Sequence, residues 1–217
     1  MKINSFSIGS APINEDFFVY RNMGINGYVI VLADGMGGLP HGDVAARIAC
    51  KAAVEYIINN YKEFHSEKRI LKEALKVADN AIATQGLAKY KCRMGTTIAI
   101  AIVSDYQIFY TWQGNVRIYL KKHNTLSVLT EDHILNINYD QKRVTRSIKG
   151  TGLREDIPVK KESLSRNDTI FFCTDGLYNI AALMLSDNNI SEIKEIIINP
   201  EDDASLIQID IWPRYLC

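Results

Sequence analysis

Charge of one sign is what this sequence lacks: its 25 basic and 25 acidic residues cancel, and no block of like charge stands out. Such a balance argues against nucleic acid or an anionic membrane as the main partner, because both are recognised by basic fields. Any charge that matters must be local. Long hydrophobic runs are missing too. The longest, Thr97 to Val103 with its neighbours, falls far below the roughly 20 residues of a membrane span, and Met1-Lys2-Ile3-Asn4-Ser5 does not read as a signal peptide. Cysteine is sparse and scattered: Cys50, Cys92, Cys173 and Cys217 form no pair at metal-ligand or redox spacing. Reduced thiols in the cytoplasm are the simplest account. Neither internal repeats nor low-complexity linkers occur. With 217 residues, 47% of them hydrophobic, the chain is expected to bury one sizeable core, a single domain over residues 1–217.

The periodicity changes along the chain. Strands are expected at Phe17 to Tyr20 and Tyr28 to Ala33, joined by a glycine-bearing turn at Met23 to Gly27. Helical spacing then runs over Asp43 to Tyr61, with Val44, Ile48, Ala52 and Tyr56 on one row and Ala45, Ala49, Ala53 and Ile57 on the next, and again over Glu67 to Leu87. After Gly95 the pattern shortens to strands at 97–103, 107–112, 116–121 and 126–129, which read as an antiparallel meander broken at Ser104-Asp105, Gly114-Asn115 and His123-Asn124. Residues 130–167 are polar with few clear elements. A strand at Thr169 to Thr174, short helices at 178–185 and 190–198, and a closing strand at Ala204 to Trp212 complete the reading. The expected fold class is α+β, with sheets inside and helices outside.

Asp16 precedes the first hairpin strand and Asp34 follows the second, each equally far from Ile25 in the turn. Antiparallel pairing therefore brings Asp16 and Asp34 together at the open end of the hairpin. Asp175 ends one late strand and Asp202 precedes the next, so these two also meet if the strands are antiparallel neighbours. Four converging carboxylates repel one another unless a cation neutralises them. Oxygen donors without organised His or Cys favour Mg²⁺ or Mn²⁺ over zinc. Against this stands a plainer reading: Asp34-Gly35 and Asp175-Gly176 are common turn dipeptides, and either alone decides nothing. A calcium-stabilised binding module is a weaker alternative, since the alternating oxygen ligands of an EF-hand loop are missing.

These residues resemble the metal-dependent protein phosphatases, the type 2C serine/threonine family, and its compact bacterial members in particular. Asn14-Glu15-Asp16, Val31-Leu32-Ala33-Asp34-Gly35-Met36-Gly37-Gly38 with Gly42-Asp43, and Met94-Gly95-Thr96-Thr97 match its motifs in order. So do Gly114-Asn115-Val116-Arg117, Leu129-Thr130-Glu131-Asp132-His133, Thr145-Arg146-Ser147-Ile148, Phe172-Cys173-Thr174-Asp175-Gly176-Leu177 and Asp202-Asp203-Ala204-Ser205. Single matches are weak; the ordered series is strong. The resemblance implies a four-layer αββα sandwich with two Mn²⁺ or Mg²⁺ ions at one end. It also implies that Asp34 bridges the ions, that the Gly35 carbonyl binds one, that Asp175 and Asp202 bind the other, and that Glu15 and Asp16 act directly or through metal-bound waters. The implied reaction is hydrolysis of phosphoserine or phosphothreonine in proteins, the products of a bacterial serine/threonine kinase, by a water activated between the two cations.

Departures from the family pattern are specific. Ala11 stands where the family carries a phosphate-gripping arginine, leaving the substrate-binding residue unknown; Arg21 and Lys2 read better as surface charges than as substitutes. Asn115 replaces an aspartate used for a weak third metal, and Met36 stands where some members place a histidine. Only 26 residues separate Asp175 from Asp202, which implies a shortened C-terminal helical segment, and the region after Thr145 implies a shortened flap. The alternative is thus a catalytically weak phosphatase-like protein that binds phosphoproteins or regulates a partner. His41 reads as a solvent-facing loop residue, His65, His123 and His133 as turn or surface residues, and Tyr110, Trp112 and Tyr119 as sheet core.

Overall fold

The structure, a computed structural model, describes residues 1–211 except 64–65, 105, 124, 138–141, 155 and 188–189, with the side chains of residues 87 and 142 also left aside. His65, Asp105, Asn124, Trp212 and Cys217, considered above, lie outside the described residues.

Strands β1 (Lys2–Ile8), β2 (Asp16–Asn22) and β3 (Tyr28–Gly35) come first, followed by helices α1 (Gly42–Asn60) and α2 (Glu67–Ala81), a wide π turn (Ile82–Gly86) and a short α3 (Leu87–Tyr90). Strands β4 (Thr96–Val103), β5 (Gln107–Gln113), β6 (Arg117–Lys122), β7 (Thr125–Val128), β8 (Ile134–Asn136), β9 (Lys142–Val144), β10 (Val159–Ser163) and β11 (Thr169–Cys173) follow. Helix α4 (Asp175–Ala181), a 3₁₀ segment (Ala182–Asp187), α5 (Ile190–Ile196) and β12 (Ala204–Asp210) end the described chain. One sheet runs β10-β5-β4-β3-β2 and the other β1-β12-β11-β6-β7; β8 and β9 form a separate pair.

Strict alternation builds the layers. In β3, Val29, Val31 and Ala33 face α1 and α2, while Ile30 and Leu32 face the second sheet. In β12, Ile207 and Ile209 point between the sheets, whereas Ala204 and Leu206 meet α4 and α5 on the far side. The result is the expected αββα order. Helix α1 buries Ala45, Ala46, Ala49 and Ala53, and these small side chains let it lie close on β3. Its buried row at 45, 49, 53 and 57 is one of the two rows of the sequence pattern; Val44, Ile48 and Tyr56 pack partly buried beside it.

Two expectations need correction, and two strands add to those expected. The strands from 97 to 129 are not one meander: β4 and β5 pair in the first sheet, β6 and β7 in the second, and the chain changes sheets at Gly114. Gly114 has φ +109°, and a Cβ there would stand 2.4 Å from Thr97 Cβ, so only glycine fits this crossing. Helix α2 gives way after Ala81 to the π turn rather than running to Leu87. Gly150 packs on it so closely that a Cβ would meet the Ala83 nitrogen at 2.5 Å. Finally, β1 and β10 belong to the sheets although their sequences give little signal. β1 is an edge strand in which only Phe6 is fully buried, so its alternation is faint.

Candidate metal and phosphoester site

The hairpin of β2 and β3 pairs Asp16 directly with Asp34, the register its turn centre dictates. β11 and β12 are antiparallel neighbours, which places Asp175 beside Asp202 where their ends meet. Gly176 makes this possible, since a Cβ there would lie 2.6 Å from the Asp202 carbonyl oxygen and 2.3 Å from that of Asp203. The two strand ends face each other across the sandwich. Asp34, Gly35, Asp175, Asp202 and Asn115 all line one cleft of about 430 Å³, together with Met36, Gly37, Gly38 and Thr97.

Asp16 sits behind this cleft, 7% exposed. Thr174 donates its hydroxyl to Asp16 Oδ2 at 2.8 Å, and Asp16 Oδ1 is buried without a hydrogen-bond partner. Burial pushes the Asp16 carboxyl well above the usual range, with hydrogen bonds from Ser205 and Thr174 opposing and the charges of Asp203 and Asp175 adding. Burial likewise pushes Asp34 well up, followed by repulsion from Asp16, Asp175 and Asp202. Asp202 and Glu15 are raised as well, each chiefly by burial; the charge of Asp175 adds for Asp202 and that of Asp203 for Glu15. Acids raised together, chiefly by burial and further by one another's charge, mark a place prepared for positive charge.

Glu15 stands slightly apart. Its carboxylate lies against the start of α1, where a Cβ on Gly42 would approach Glu15 Oε1 to 2.8 Å, and the Gly42 N–H bonds to it. A carboxylate here complements the partial positive charge of the helix N-terminus. Asp34 and Gly35 are fixed by their backbone: Thr96 Oγ1 donates to the Asp34 carbonyl at 2.6 Å and the Gly35 N–H to the Glu15 carbonyl at 3.1 Å. Asp175 is held by Asn115 Nδ2 at 2.9 Å and the Gly176 N–H at 3.1 Å.

Oxygen-only donors, an unpartnered buried carboxylate oxygen on Asp16 and shared repulsion fit hard divalent cations. Among the described residues no three His, Cys, Asp or Glu side chains are already closed around one point, so the carboxylates form an open set rather than a finished cage.

Other contributors carry little signal in the sequence. Asp203 accepts hydrogen bonds from Ser10 and from the Glu15 N–H and so ties the N-terminal loop to the site; only its position beside Asp202 hinted at this. Ala11 lies exposed in that loop. Arg21 bonds the Tyr20 carbonyl, and Lys2 borders a different pocket beside Asp168 and Asp210, so neither reaches the cleft. Its lining cations among the described residues are Arg143 and Lys149, which sit in a stretch with no periodicity to reveal them. Of the histidines, His41 is exposed and set against Tyr90, while His133 accepts the Gly114 N–H through Nδ1 and stacks on Trp112. Burial, with Arg146 nearby, lowers the His133 pKa.

The family model for protein phosphatase 2C matches residues 8–205. The chain belongs to the protein phosphatase 2C family. It is 26% identical over 215 residues to the serine/threonine phosphatase stp of Listeria welshimeri, covering 84% of both chains. Among solved structures it superposes on serine/threonine phosphatase Stp1 from Staphylococcus aureus with a TM-score of 0.83 at 21% identity, covering 98% of this chain and 95% of that one. It also matches the catalytic domain of the phosphatase PstP in complex with two manganese ions, with a TM-score of 0.75, 19% identity and 98% of each chain covered. These likenesses agree with the αββα architecture. As a protein phosphatase 2C member the chain is a serine/threonine phosphatase, and metal-dependent catalysis is typical of its family. No helix among the described residues is long and apolar enough to cross a membrane.

Proposed function

We propose that this chain hydrolyses phosphoserine and phosphothreonine in proteins, using two Mn²⁺ or Mg²⁺ ions held by Asp34, the Gly35 carbonyl, Asp175 and Asp202, with Glu15 and Asp16 direct or through water. The observation that carries the reading is the meeting of Asp34, Asp175 and Asp202 around one cleft from three separate parts of the chain. The related phosphatase holding two manganese ions supports the choice of metal. When bound, the cations supply a nucleophilic water at neutral pH and stabilise charge on the transferring phosphoryl group.

The protein's own part is placement. Asn115 and Gly176 fix the Asp175 carboxylate, Thr96 fixes the backbone at Asp34, and Thr174 fixes Asp16. Arg143 and Lys149 hold the substrate phosphate from the wall of the cleft, in place of the arginine missing at Ala11. Lysine acts here as a point charge, without the bidentate geometry of arginine. The phosphoproteins are proposed to be products of a bacterial serine/threonine kinase, and the buried free thiols of Cys50 and Cys173 are in keeping with a cytoplasmic setting.

A second reading is a weak enzyme that chiefly binds phosphoproteins. It is favoured by Asn115, which occupies Asp175 with an amide where a further acid is expected. Hydrolysis of para-nitrophenyl phosphate and a phosphothreonine peptide with Mn²⁺, Mg²⁺, Ca²⁺ or EDTA separates the two. Turnover that needs Mn²⁺ or Mg²⁺ and is lost in Asp175→Asn supports the enzyme; tight metal binding with no turnover favours the binder.

A further inference from the structure

Lys149 lines two pockets. One is the acidic cleft; the other, about 190 Å³, is bordered by Gln113, Thr145, Arg146, Ser147 and Arg154 as well, and among the described residues no acidic side chain lines it. Asp156 lies next to it, its carboxylate 2.5 Å from Arg146 Nη2 and its carbonyl accepting from Nη1 at 3.1 Å. Arg146 holds the Asp156 carboxyl below its ordinary range, with a smaller contribution from Arg154. Asp156 is set against Arg146, and among the described residues neither Lys149 nor Arg154 forms an ion pair.

An independent feature points the same way. Gln113, the last residue of β5, is 3% exposed and lines this pocket, yet its amide nitrogen has no hydrogen-bond partner. Buried amide donors are nearly always satisfied, and one left open at a pocket wall is a donor waiting for an acceptor. The hydroxyls of Thr145 and Ser147 add further donors. The loop carrying Lys149 is also built to stay in place. Asp79, buried in α2, accepts the N–H groups of Lys149 at 2.9 Å, Gly150 at 2.8 Å and Gly152 at 2.8 Å. The Lys149 stem passes over Gly95, where a Cβ would stand 2.8 Å from Lys149 Cγ.

We infer that this pocket is a second anion subsite, taking a phosphate or carboxylate that the phosphoprotein substrate carries near the residue being dephosphorylated. The inference rests on the phosphatase reading for the identity of the substrate. Because one lysine forms part of both walls, and an extended peptide rises about 3.3 Å per residue, the second anion belongs roughly one to three residues from the scissile phosphate.

The test uses the full chain with Mn²⁺ and phosphothreonine peptides carrying alanine, glutamate or phosphoserine at each of three positions on either side. Binding is read by fluorescence anisotropy with non-hydrolysable phosphonate analogues, and turnover by kcat/KM with the phosphopeptides. At about 0.15 M salt a general attraction spreads over all positions, whereas a subsite selects one. The expected result is at least tenfold tighter binding at one position, reduced to under threefold by Arg154→Gln and by Gln113→Leu. Arg154 is exposed, so its variant keeps the test valid should the buried glutamine tolerate no change. Equal gains from glutamate and phosphoserine identify a carboxylate-sized requirement; a gain from phosphoserine alone identifies a dianion site. Preferences within twofold at every position, or a preference that both variants leave intact, overturn the inference. Selective binding without turnover removes the catalytic reading and leaves the subsite standing.

Discussion

Asp203 and Ser10 are 193 positions apart, yet the Asp203 carboxylate accepts both the Ser10 N–H at 2.7 Å and the Ser10 hydroxyl at 3.0 Å, while its other oxygen takes the Glu15 N–H at 2.6 Å. The C-terminal acid thereby holds the N-terminal loop in front of the sandwich and sets where Glu15 and Asp16 stand. Its neighbour Asp202 lines the cleft; Asp203, 7% exposed, is a tether.

Asp203→Asn turns one of these acceptors into a donor facing an N–H. Hydrogen bonds to a charged group contribute about 1.5–3 kcal/mol each, and their loss here should lower unfolding free energy by roughly 2–4 kcal/mol with weaker Mn²⁺ binding. Urea unfolding and metal titration check this. A variant as stable as the parent would show that the loop is held by other contacts.

Metal dependence should be pH-dependent in a defined sense. Asp16 and Asp34 have folded pKa values raised above their unfolded ones, mainly by burial. Their contribution to metal-free stability is therefore complete below the unfolded carboxylate range, near 4, and is lost as pH rises through the raised folded values. A cation relieves the repulsion and competes with protons for the same oxygens. The rise in Tm from EDTA to saturating Mn²⁺ should thus be larger at pH 8 than at pH 5.5. At about a hundredfold excess over Kd, stabilisation is about 2.7 kcal/mol, which corresponds to roughly 5–11 °C for a chain of this size. An equal shift at both pH values contradicts the assigned ligands.

Asp175→Asn should separate catalysis from stability. Turnover is expected to fall by about 10²-fold or more, because a charged ligand is lost from the site. The metal-free protein should become more stable by about 1 kcal/mol, since Asp34 no longer faces that charge. Falling stability in EDTA would mean that Asp175 is needed for folding rather than tolerated for function.

What could be read in advance follows from which interactions are local. Asp16 and Asp34 were legible because a hairpin register is fixed by its own turn. Asp175 and Asp202 required one assumption, the pairing of β11 and β12, that alternation of Phe171 and Phe172 between two cores satisfies. The crossing at Gly114 has the sequence of an ordinary turn, because a residue's φ and the sheet its next strand joins are set by tertiary packing. Arg143, Lys149 and Asp79 were illegible for the same reason. Asp79 sits in a helix with no sequence mark to distinguish it, and its three N–H partners come from a loop some 70 residues further on.

If Lys149 holds substrate phosphate, Lys149→Met should raise KM for a phosphothreonine peptide by about tenfold with a smaller change in kcat. Ala11→Arg, placed in the exposed loop that Asp203 anchors, should lower KM in the parent and recover part of the loss in the double variant. Asp79→Ala should imitate Lys149→Met in direction, because it frees the loop while leaving the ammonium in place. If neither Lys149→Met nor Ala11→Arg alters KM, phosphate is held elsewhere.

Asn115 decides between a decayed ligand and a positioning group. Its Nδ2 donates to Asp175 Oδ2 at 2.9 Å, its Oδ1 is buried without a partner, and its backbone carbonyl accepts from the Tyr178 hydroxyl at 3.2 Å. Asn115→Asp replaces the donor by a second negative charge. Two unit charges about 4 Å apart repel by about 4 kcal/mol at an effective dielectric near 20, and relaxation reduces this, so a loss of roughly 2–4 kcal/mol in EDTA is expected. Saturating Mn²⁺ should cancel most of it and bind more tightly than in the parent, because the added carboxylate becomes a ligand only when a cation is present to neutralise it. Thermal melts in EDTA and in Mn²⁺ read both effects. An equal loss in the two conditions would assign Asn115 to holding Asp175 in place, with no capacity at that position for a further ion.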